Sequence, residues 1–126
     1  MAEYFYFNSR DELLRIAKAK IVYLEAVGNY TVVILENGFR GTVGVSLSRM
    51  EKMLAVTSEG KSVKFARVGK SHIINLSHIL SINPLKQELV LSDQSTFSYS
   101  LDISKDALRK LKDILMESRK NKQTNQ

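Results

Sequence analysis

Short segments rich in apolar and β-branched residues recur along the chain, and turn residues separate them. The segments 21–24 and 30–35 have this composition, which is typical of β-strands. Gly28-Asn29 lies between them, and Asn37-Gly38 follows the second segment. Asn-Gly is the strongest short-range signal for a β-hairpin, because a type I′ turn needs positive φ at both central residues. The pattern therefore predicts two successive hairpins in the first part of the chain.

The rest of the chain shows the same alternation of strand-like segments and breaks. Gly69 interrupts one pair of segments, and Pro84, the only proline, marks a turn or a strand edge. A final hairpin is predicted around the turn 92–95, with strands at 88–91 and 96–99. The other predicted strands lie at 39–43, 63–68, 72–76 and 79–82.

Two helices are predicted from apolar residues that recur at three- and four-residue spacings. The first begins near Ser48, which has the spacing of a capping box with Glu51. The second begins after Ser104, a residue type favoured at helix N-termini, with Asp106 in its first turn. The apolar stripes are Leu47, Met50, Met53 and Leu54, then Ala107, Leu108, Leu111, Ile114 and Leu115. The predicted fold class is mostly β with two helices.

The composition indicates one ordinary domain. A chain of 126 residues with 44% hydrophobic residues can bury a single domain core. No apolar run is long enough to span a membrane, and the first residues lack the features of a secretory signal. The sequence has no cysteine, which excludes disulfides and thiolate sites and fits a reducing compartment. We therefore expect a cytoplasmic protein that has no membrane partner.

The middle of the chain carries basic residues and no acidic ones. The formal net charge is +6, and residues 60–87 contain no Asp or Glu. The cations of this stretch are Lys61, Lys64, Arg67, Lys70 and Lys86. A stretch of one sign in a folded domain indicates a basic face and a polyanionic partner. A solvated surface that lacks acids explains it equally well, so charge alone leaves both interpretations open.

No catalytic or metal-binding pattern stands out in the sequence. Gly69-Lys70-Ser71 resembles the end of a phosphate-binding loop, but Lys64 stands where that motif requires glycine. His72 and His78 are six residues apart and do not share a helical face with an acid between them. We therefore predict that the protein is not an enzyme and needs no metal, cofactor or small-molecule substrate.

Three longer segments carry a more specific pattern. They read IVYLEAVGNY at 21–30, FARVGKSHIINL at 65–76, and LVLSD at 89–93 followed by the last helix. In this order and with these gaps, they resemble the LytTR family of bacterial response-regulator output domains. The middle segment is similar to the family's Phe-x-Arg-Val-His-Arg-Ser-x-Leu-Val-Asn-Leu block. The resemblance covers about residues 20–115.

The resemblance implies both a fold and a mode of DNA binding. The fold is an elongated arrangement of small antiparallel sheets with two flanking helices. Loops and strand ends, rather than a recognition helix, enter successive major grooves of double-stranded DNA, and members typically bind as pairs on direct repeats, so a homodimer is expected. The domain would span residues 1–116, followed by a polar flexible tail at 117–126. Residues 1–19 would add strands that cover a sheet edge or form a dimer contact.

The resemblance also implies that three regions face DNA: the turn after residue 27, the turn after residue 68, and the strand end before the last helix. Lys70 stands where the family usually has an Arg or Asn that reads bases. A lysine can contact guanine, although it discriminates less than an arginine does. The predicted contacts in the three regions are Asn29, Tyr30, Thr31, Lys70, Ser71, His72, Ser100 and Asp102.

Phosphate contacts are expected from basic residues in and near these regions. They are Lys61, Lys64, Arg67, Lys70 and Lys105. A structural interpretation stands beside the functional one for some residues. Asn29 can be a turn residue only, Tyr30 can point inward, and Arg67 can pair with an acid such as Glu25.

Three residues depart from the family pattern. Leu101 and Asp102 stand where arginines are common, and Gly69 replaces a histidine. A carboxylate close to phosphates lowers affinity, although Asp can accept a hydrogen bond from cytosine. Two hypotheses follow: a sequence-specific DNA-binding transcription regulator, or a protein-interaction module on the same fold with weak or no DNA binding. The first requires the turn of Lys70 to lie beside the turn of Asn29.

Overall fold

The computed structural model describes residues 3–56 and 64–120 of the chain. Within these residues, ten strands form three antiparallel sheets, and two α-helices pack beside them. The elements are β1 (Tyr4–Asn8), β2 (Leu13–Ala17), β3 (Ile21–Val27), β4 (Tyr30–Leu35), β5 (Arg40–Val43), α1 (Leu47–Val56), β6 (Phe65–Val68), β7 (His72–Asn75), β8 (Ile79–Asn83), β9 (Glu88–Ser92), β10 (Ser98–Asp102) and α2 (Lys105–Lys120). The predicted fold class, mostly β with two helices and small antiparallel sheets, is confirmed.

The central sheet has five strands in the order β5-β4-β3-β7-β6, while β1-β2 and β10-β9-β8 form the two smaller sheets. Strand β3 pairs with β7 so that Glu25 lies opposite His72, and β6 pairs with β7 so that Val68 also lies opposite His72. This register brings the turns that follow β3 and β6 to the same end of the sheet. We call it the turn end, formed by residues 28–29 and 69–71.

Side chains of the central sheet alternate between two hydrophobic cores on its opposite faces. On β3, Tyr23 contributes to one core and Leu24 to the other, and on β7 the same holds for Ile74 and Ile73. The α2-side core also contains residues of β9, β10 and α2, whereas the α1-side core contains residues of β1, β2 and α1. The turn end is therefore supported from both faces of the sheet.

Two predicted hairpins form, but one of their turns differs in type. At Asn37-Gly38, only Gly38 has a positive φ, of 92°. The N–H of Gly38 donates to the carbonyl of Leu35 at 3.0 Å, and the N–H of Leu35 donates to the carbonyl of Phe39 at 2.9 Å. This is the pattern of a three-residue loop, a type I turn followed by a glycine bulge. The predicted type I′ turn at this position is wrong.

Two element boundaries also differ from the sequence predictions. Helix α1 begins at Leu47, and the Ser46 hydroxyl oxygen accepts the N–H of Arg49 at 3.2 Å, so the predicted cap at Ser48 is wrong. Strand β10 begins at Ser98 rather than at residue 96. The Asp93 carboxylate accepts the N–H groups of residues 95, 96 and 97, which therefore belong to the turn instead of a strand ladder.

Other predictions concern the ends of elements and regions that the structure does not describe. No helix in the described ranges is long and apolar enough to cross a membrane. Helix α2 continues to Lys120, into the segment predicted to be a tail. Lys61 and the predicted strand start at Val63 lie outside the described residues, as does the segment 121–126.

Candidate nucleic-acid interface

The two turns of the turn end lie side by side. The N–H of Ala26 donates to the carbonyl of Ser71 at 2.8 Å, which continues the pairing of β3 with β7 up to the second turn. Gly28 and Gly69 have φ values of 62° and 68°, a conformation that favours glycine and lets the chain reverse tightly. The prediction that the turn of Lys70 lies beside the turn of Asn29 is confirmed.

Lys70 is the exposed cation of the second turn. Its side chain is accessible to solvent, and it forms no ion pair with any acid in the described part of the chain. The main chain at this residue is anchored from one side, because Arg67 Nη2 donates to the carbonyl of Lys70 at 2.7 Å. The adjacent Ser71 is also exposed. The turn therefore presents an ammonium and a hydroxyl to solvent from a fixed backbone.

The first turn offers an amide and a phenol. Asn29 is exposed, and Tyr30 is 55% exposed, so the inward-pointing interpretation of Tyr30 is wrong. Thr31 differs from both. It is fully buried, and its hydroxyl donates to the carbonyl of Val45 at 2.7 Å. The predicted DNA contact by Thr31 is therefore wrong, because this hydroxyl is enclosed and already donates within the protein.

A groove of about 800 Å³ separates the second turn from the first part of α2. The two walls approach closely at Gly69, where a Cβ would lie 3.7 Å from the Cβ of Ala107. Lys110 lines this groove together with Lys70, and the acids Asp102 and Asp106 line it as well. Lys110 was not among the predicted contacts, because it lies off the apolar stripe of the helix and no local signal shows that the β6–β7 turn packs against α2.

The third predicted region, at the end of β10, is acidic. Asp102 is exposed and lies opposite Glu88 in the β9–β10 register. The Ser100 hydroxyl donates to Glu88 Oε2 at 2.8 Å, and Leu101 is buried in the α2-side core. Two carboxylates at one strand end repel phosphates. This region therefore offers less to a polyanion than the two turns do.

His72 lies on the sheet just behind the second turn. Its side chain is 15% exposed, and its Nε2 is 3.9 Å from Glu25 Oε2. Burial lowers the pKa of His72 below its ordinary value, and the nearby Glu25 carboxylate opposes part of this shift. Near neutral pH the imidazole is therefore mostly uncharged, and a strong phosphate contact by His72 is not supported.

Comparison with known proteins places this geometry in a family. A family model of the LytTr DNA-binding domain matches residues 11–116, a range that includes both turns and the groove. The chain belongs to the LytTR family of DNA-binding domains.

A solved structure supports the same assignment of this LytTR domain. The chain is similar to one described as the LytTr DNA-binding domain of a methyl-accepting/DNA response regulator from Bacillus cereus. The TM-score is 0.62 at 26% sequence identity, and the match covers 89% of this chain and 95% of that chain. A search of curated protein sequences finds no match.

The cations predicted for this LytTR domain do not form one row. Lys64 precedes β6, at the end opposite Lys70, and a rise of roughly 3.3 Å per residue separates them by roughly 15 Å or more. Arg67 pairs with Glu51 rather than with the suggested Glu25. Lys105 begins α2 and is half-buried. Among the described cations of the predicted set, only Lys70 stands exposed at the turn end.

The pairing of Arg67 with Glu51 has a simple structural cause. Along β6, Arg67 lies opposite Ile73, which belongs to the α1-side core, whereas Glu25 lies opposite His72 on the other face of the sheet. The sequence alone could not show that Arg67 and Glu25 lie on opposite faces of the sheet, because this depends on how β3 and β6 each pair with β7.

No group of three or more His, Cys, Asp or Glu able to hold a metal ion occurs among the residues the structure describes.

Proposed function

We propose that this LytTR domain is a sequence-specific transcription regulator of a bacterial cytoplasm, which reads the major groove through the turns after β3 and β6. Membership of a DNA-binding domain family supports a DNA-binding regulatory role. The observation that carries the finer proposal is the juxtaposition of the exposed Lys70 and Asn29 turns at one end of the central sheet. The function needs no cofactor, metal or small-molecule substrate, and no catalysis.

Each turn would supply one base contact and one phosphate contact. An ammonium such as that of Lys70 can donate to the O6 and N7 atoms of guanine, and an amide such as that of Asn29 can pair with adenine. Ser71 and Tyr30 add hydroxyl donors that suit phosphate oxygens. Lys110, on the far wall of the groove, adds a second cation. The proposed reader is thus a pair of rigid turns rather than a helix.

The salt dependence of binding tests the electrostatic part of this proposal. If the charges of Lys70 and Lys110 neutralise about two phosphates, the logarithm of the association constant falls with the logarithm of salt concentration with a slope of about −1.8. We expect this slope with DNA selected from a randomised pool, measured by fluorescence anisotropy. A flat response, together with no enriched motif in the selection, would contradict the proposed function.

The variant Lys70→Ala tests base reading. Loss of a base contact is worth about 1–3 kcal/mol of discrimination, so we expect a loss of preference at one base pair of the selected site. Lys64→Ala is the matched control, because Lys64 is an exposed lysine at the other end of β6. An equal loss by Lys70→Ala on every sequence would make Lys70 a phosphate contact instead.

A protein-interaction module on the same fold is the second candidate function. It is favoured by the acidic end of β10, where Asp102 lies opposite Glu88. In that case the selection would return no motif, and the turn end would bind a protein partner. Pairing of two copies on direct repeats belongs to the first proposal, and binding to one half-site against two half-sites of varied spacing tests it.

A further inference from the structure

Arg67 reaches from β6 to both α1 and the second turn. Its Nη1 lies 3.0 Å from Glu51 Oε1 and 3.4 Å from the Ser48 hydroxyl. Its Nη2 donates to the carbonyl of Lys70 at 2.7 Å. One guanidinium therefore connects a helix to the main chain of the turn that carries the exposed lysine.

The guanidinium of Arg67 is engaged by groups of the protein itself. The side chain is 27% exposed, and its Nε is buried without a hydrogen-bond partner in the described part of the chain. Both terminal nitrogens are engaged by groups of the protein itself. An arginine arranged in this way has little to offer a phosphate, which would have to compete with Glu51 and with the turn.

Arginine suits this task because its planar fork donates in two directions at once. A lysine ammonium is a point charge on a flexible stem and does not span a carboxylate and a carbonyl with the same fixed geometry. The second hold on the turn comes from the N–H of Ala26, which donates to Ser71 on the β3 side. Without Arg67, the carbonyl of Lys70 loses its anchor on the α1 side.

We propose that Arg67, held by Glu51, is a positioning residue that fixes the direction in which Lys70 leaves the turn. This inference rests on the proposed function and assigns a role to two residues outside the DNA contact surface. It contradicts the expectation that Arg67 is a phosphate contact.

The variant Glu51→Gln separates the two roles by the sign of its effect. Removing a carboxylate near a DNA-binding surface would strengthen binding if charge alone mattered. The positioning role predicts the opposite, a weakening of specific binding by about tenfold, because the hydrogen bond that Arg67 donates to residue 51 loses its ionised acceptor and much of its strength. Asp113→Asn is the matched control, since it removes an exposed acid from α2 and should not weaken binding. Tighter binding by Glu51→Gln would overturn the inference.

The variant Arg67→Met gives a second, independent readout. It should weaken specific binding by about tenfold without changing the slope of affinity against salt, because no phosphate contact is removed. A slope smaller in magnitude by about 0.9 would identify Arg67 as a phosphate contact and overturn the inference. Arg67→Lys keeps the charge but not the fork, so it should bind like Arg67→Met. Full rescue by Arg67→Lys would also overturn it.

A double-mutant cycle connects Arg67 to Lys70. If Arg67 acts through the position of Lys70, then Arg67→Met should cost less than about twofold in a Lys70→Ala background. Equal losses in both backgrounds would show that Arg67 acts elsewhere. Thermal unfolding of every variant is measured in parallel, and Glu51→Gln and Ser48→Ala carry the test if Arg67→Met does not fold.

The outcomes also distinguish this inference from the proposed function. If the unmodified protein selects no DNA sequence and shows no salt-dependent binding, the proposed function fails, and the inference fails with it. If the unmodified protein binds specifically but Glu51→Gln tightens binding or Arg67→Met changes the slope, only the inference fails.

Discussion

His72 shows how the sheet controls the ionisation of a single side chain. Burial beside the second turn lowers the pKa of His72, and the Glu25 carboxylate, 3.9 Å away, raises it by a smaller amount. The folded state therefore binds this proton more weakly than the unfolded state, whose histidine has its ordinary value of 6.5. Through this difference, the folded state keeps its full stability above pH 6.5. It loses part of that stability as the pH falls through the pKa of His72 in the unfolded state and then in the folded state.

We predict that the ring protons of His72 titrate below pH 6.5, as measured by NMR. Glu25→Gln should lower the pKa of His72 further, because it removes the charge that opposes the burial effect. A pKa above 6.5 in the free protein would contradict the burial described for this ring. Titration of the DNA complex adds a check on function, since a phosphate contact by His72 would raise its pKa on binding.

For single residues, the sequence indicated which ones lie at exposed turns, but it did not indicate which groups each side chain contacts. Lys70 and Asn29 were expected at exposed turns and lie there. Thr31 follows the same turn but points into the α1-side face, because neighbouring residues of a strand alternate between faces. The partner of Arg67 lies in α1 instead of β3, and only the three-dimensional packing of that helix selects Glu51.

At the scale of elements, the β6–β7 hairpin depends on the conformation of one residue. Gly69 has a φ of 68° and is packed against α2. A residue with a Cβ is strained in this region by about 1–2 kcal/mol. The contact with Ala107 would not add a clash, since a Cβ at Gly69 would lie at an ordinary distance of 3.7 Å. The backbone strain alone therefore determines the cost of a substitution.

We predict that Gly69→Ala lowers the free energy of unfolding by about 1 kcal/mol, measured by urea denaturation. Gly44→Ala is the control, because Gly44 does not have positive φ and a Cβ there would make an ordinary contact of 3.8 Å with Tyr30. Its effect should stay below about 0.5 kcal/mol. Equal effects of the two substitutions would contradict the assigned strain.

Elements were predictable where a local signal determined them. Gly28-Asn29 and Asn37-Gly38 marked the hairpins of β3, β4 and β5 correctly. The turn type at Asn37, the cap of α1 and the start of β10 were wrong, because each depends on which hydrogen bonds a side chain or a bulge actually makes. Asp93, for example, accepts main-chain N–H groups that the sequence pattern assigned to a strand.

At the scale of the whole molecule, the N-terminal hairpin forms part of the α1-side core. Strand β1 precedes residue 11, where the match to the family begins, and yet Phe5 is 6% exposed within that core. The neighbouring Tyr6 is 61% exposed on the other face of the hairpin. The inward and outward rings of β1 should therefore differ greatly in their contribution to stability.

We predict that Phe5→Ala lowers the free energy of unfolding by about 3 kcal/mol, because it leaves a cavity in a packed core. Tyr6→Ala should change it by less than about 0.5 kcal/mol. Both are measured by urea denaturation monitored by circular dichroism. A small effect of Phe5→Ala would mean that β1 is not part of the cooperative folding unit.

The global arrangement was predicted only through the resemblance to a family. Composition and periodicity indicate strands and helices but do not show that β3 pairs with β7, which follows it by more than forty residues. That pairing creates the turn end, since it brings the Gly28 and Gly69 turns together. The three segments shared with the LytTR family contain both turns, and for this reason the resemblance predicted their proximity.

Both hydrogen bonds that hold the second turn end on main-chain oxygens, those of Lys70 and Ser71. Neither bond involves the side chain at position 70. The side chain at position 70 can therefore be exchanged without loss of the two hydrogen bonds that anchor the turn. If Lys70 reads bases as proposed, a substitution at position 70 alone should change the preferred DNA sequence, while the melting temperature stays close to that of the unmodified protein.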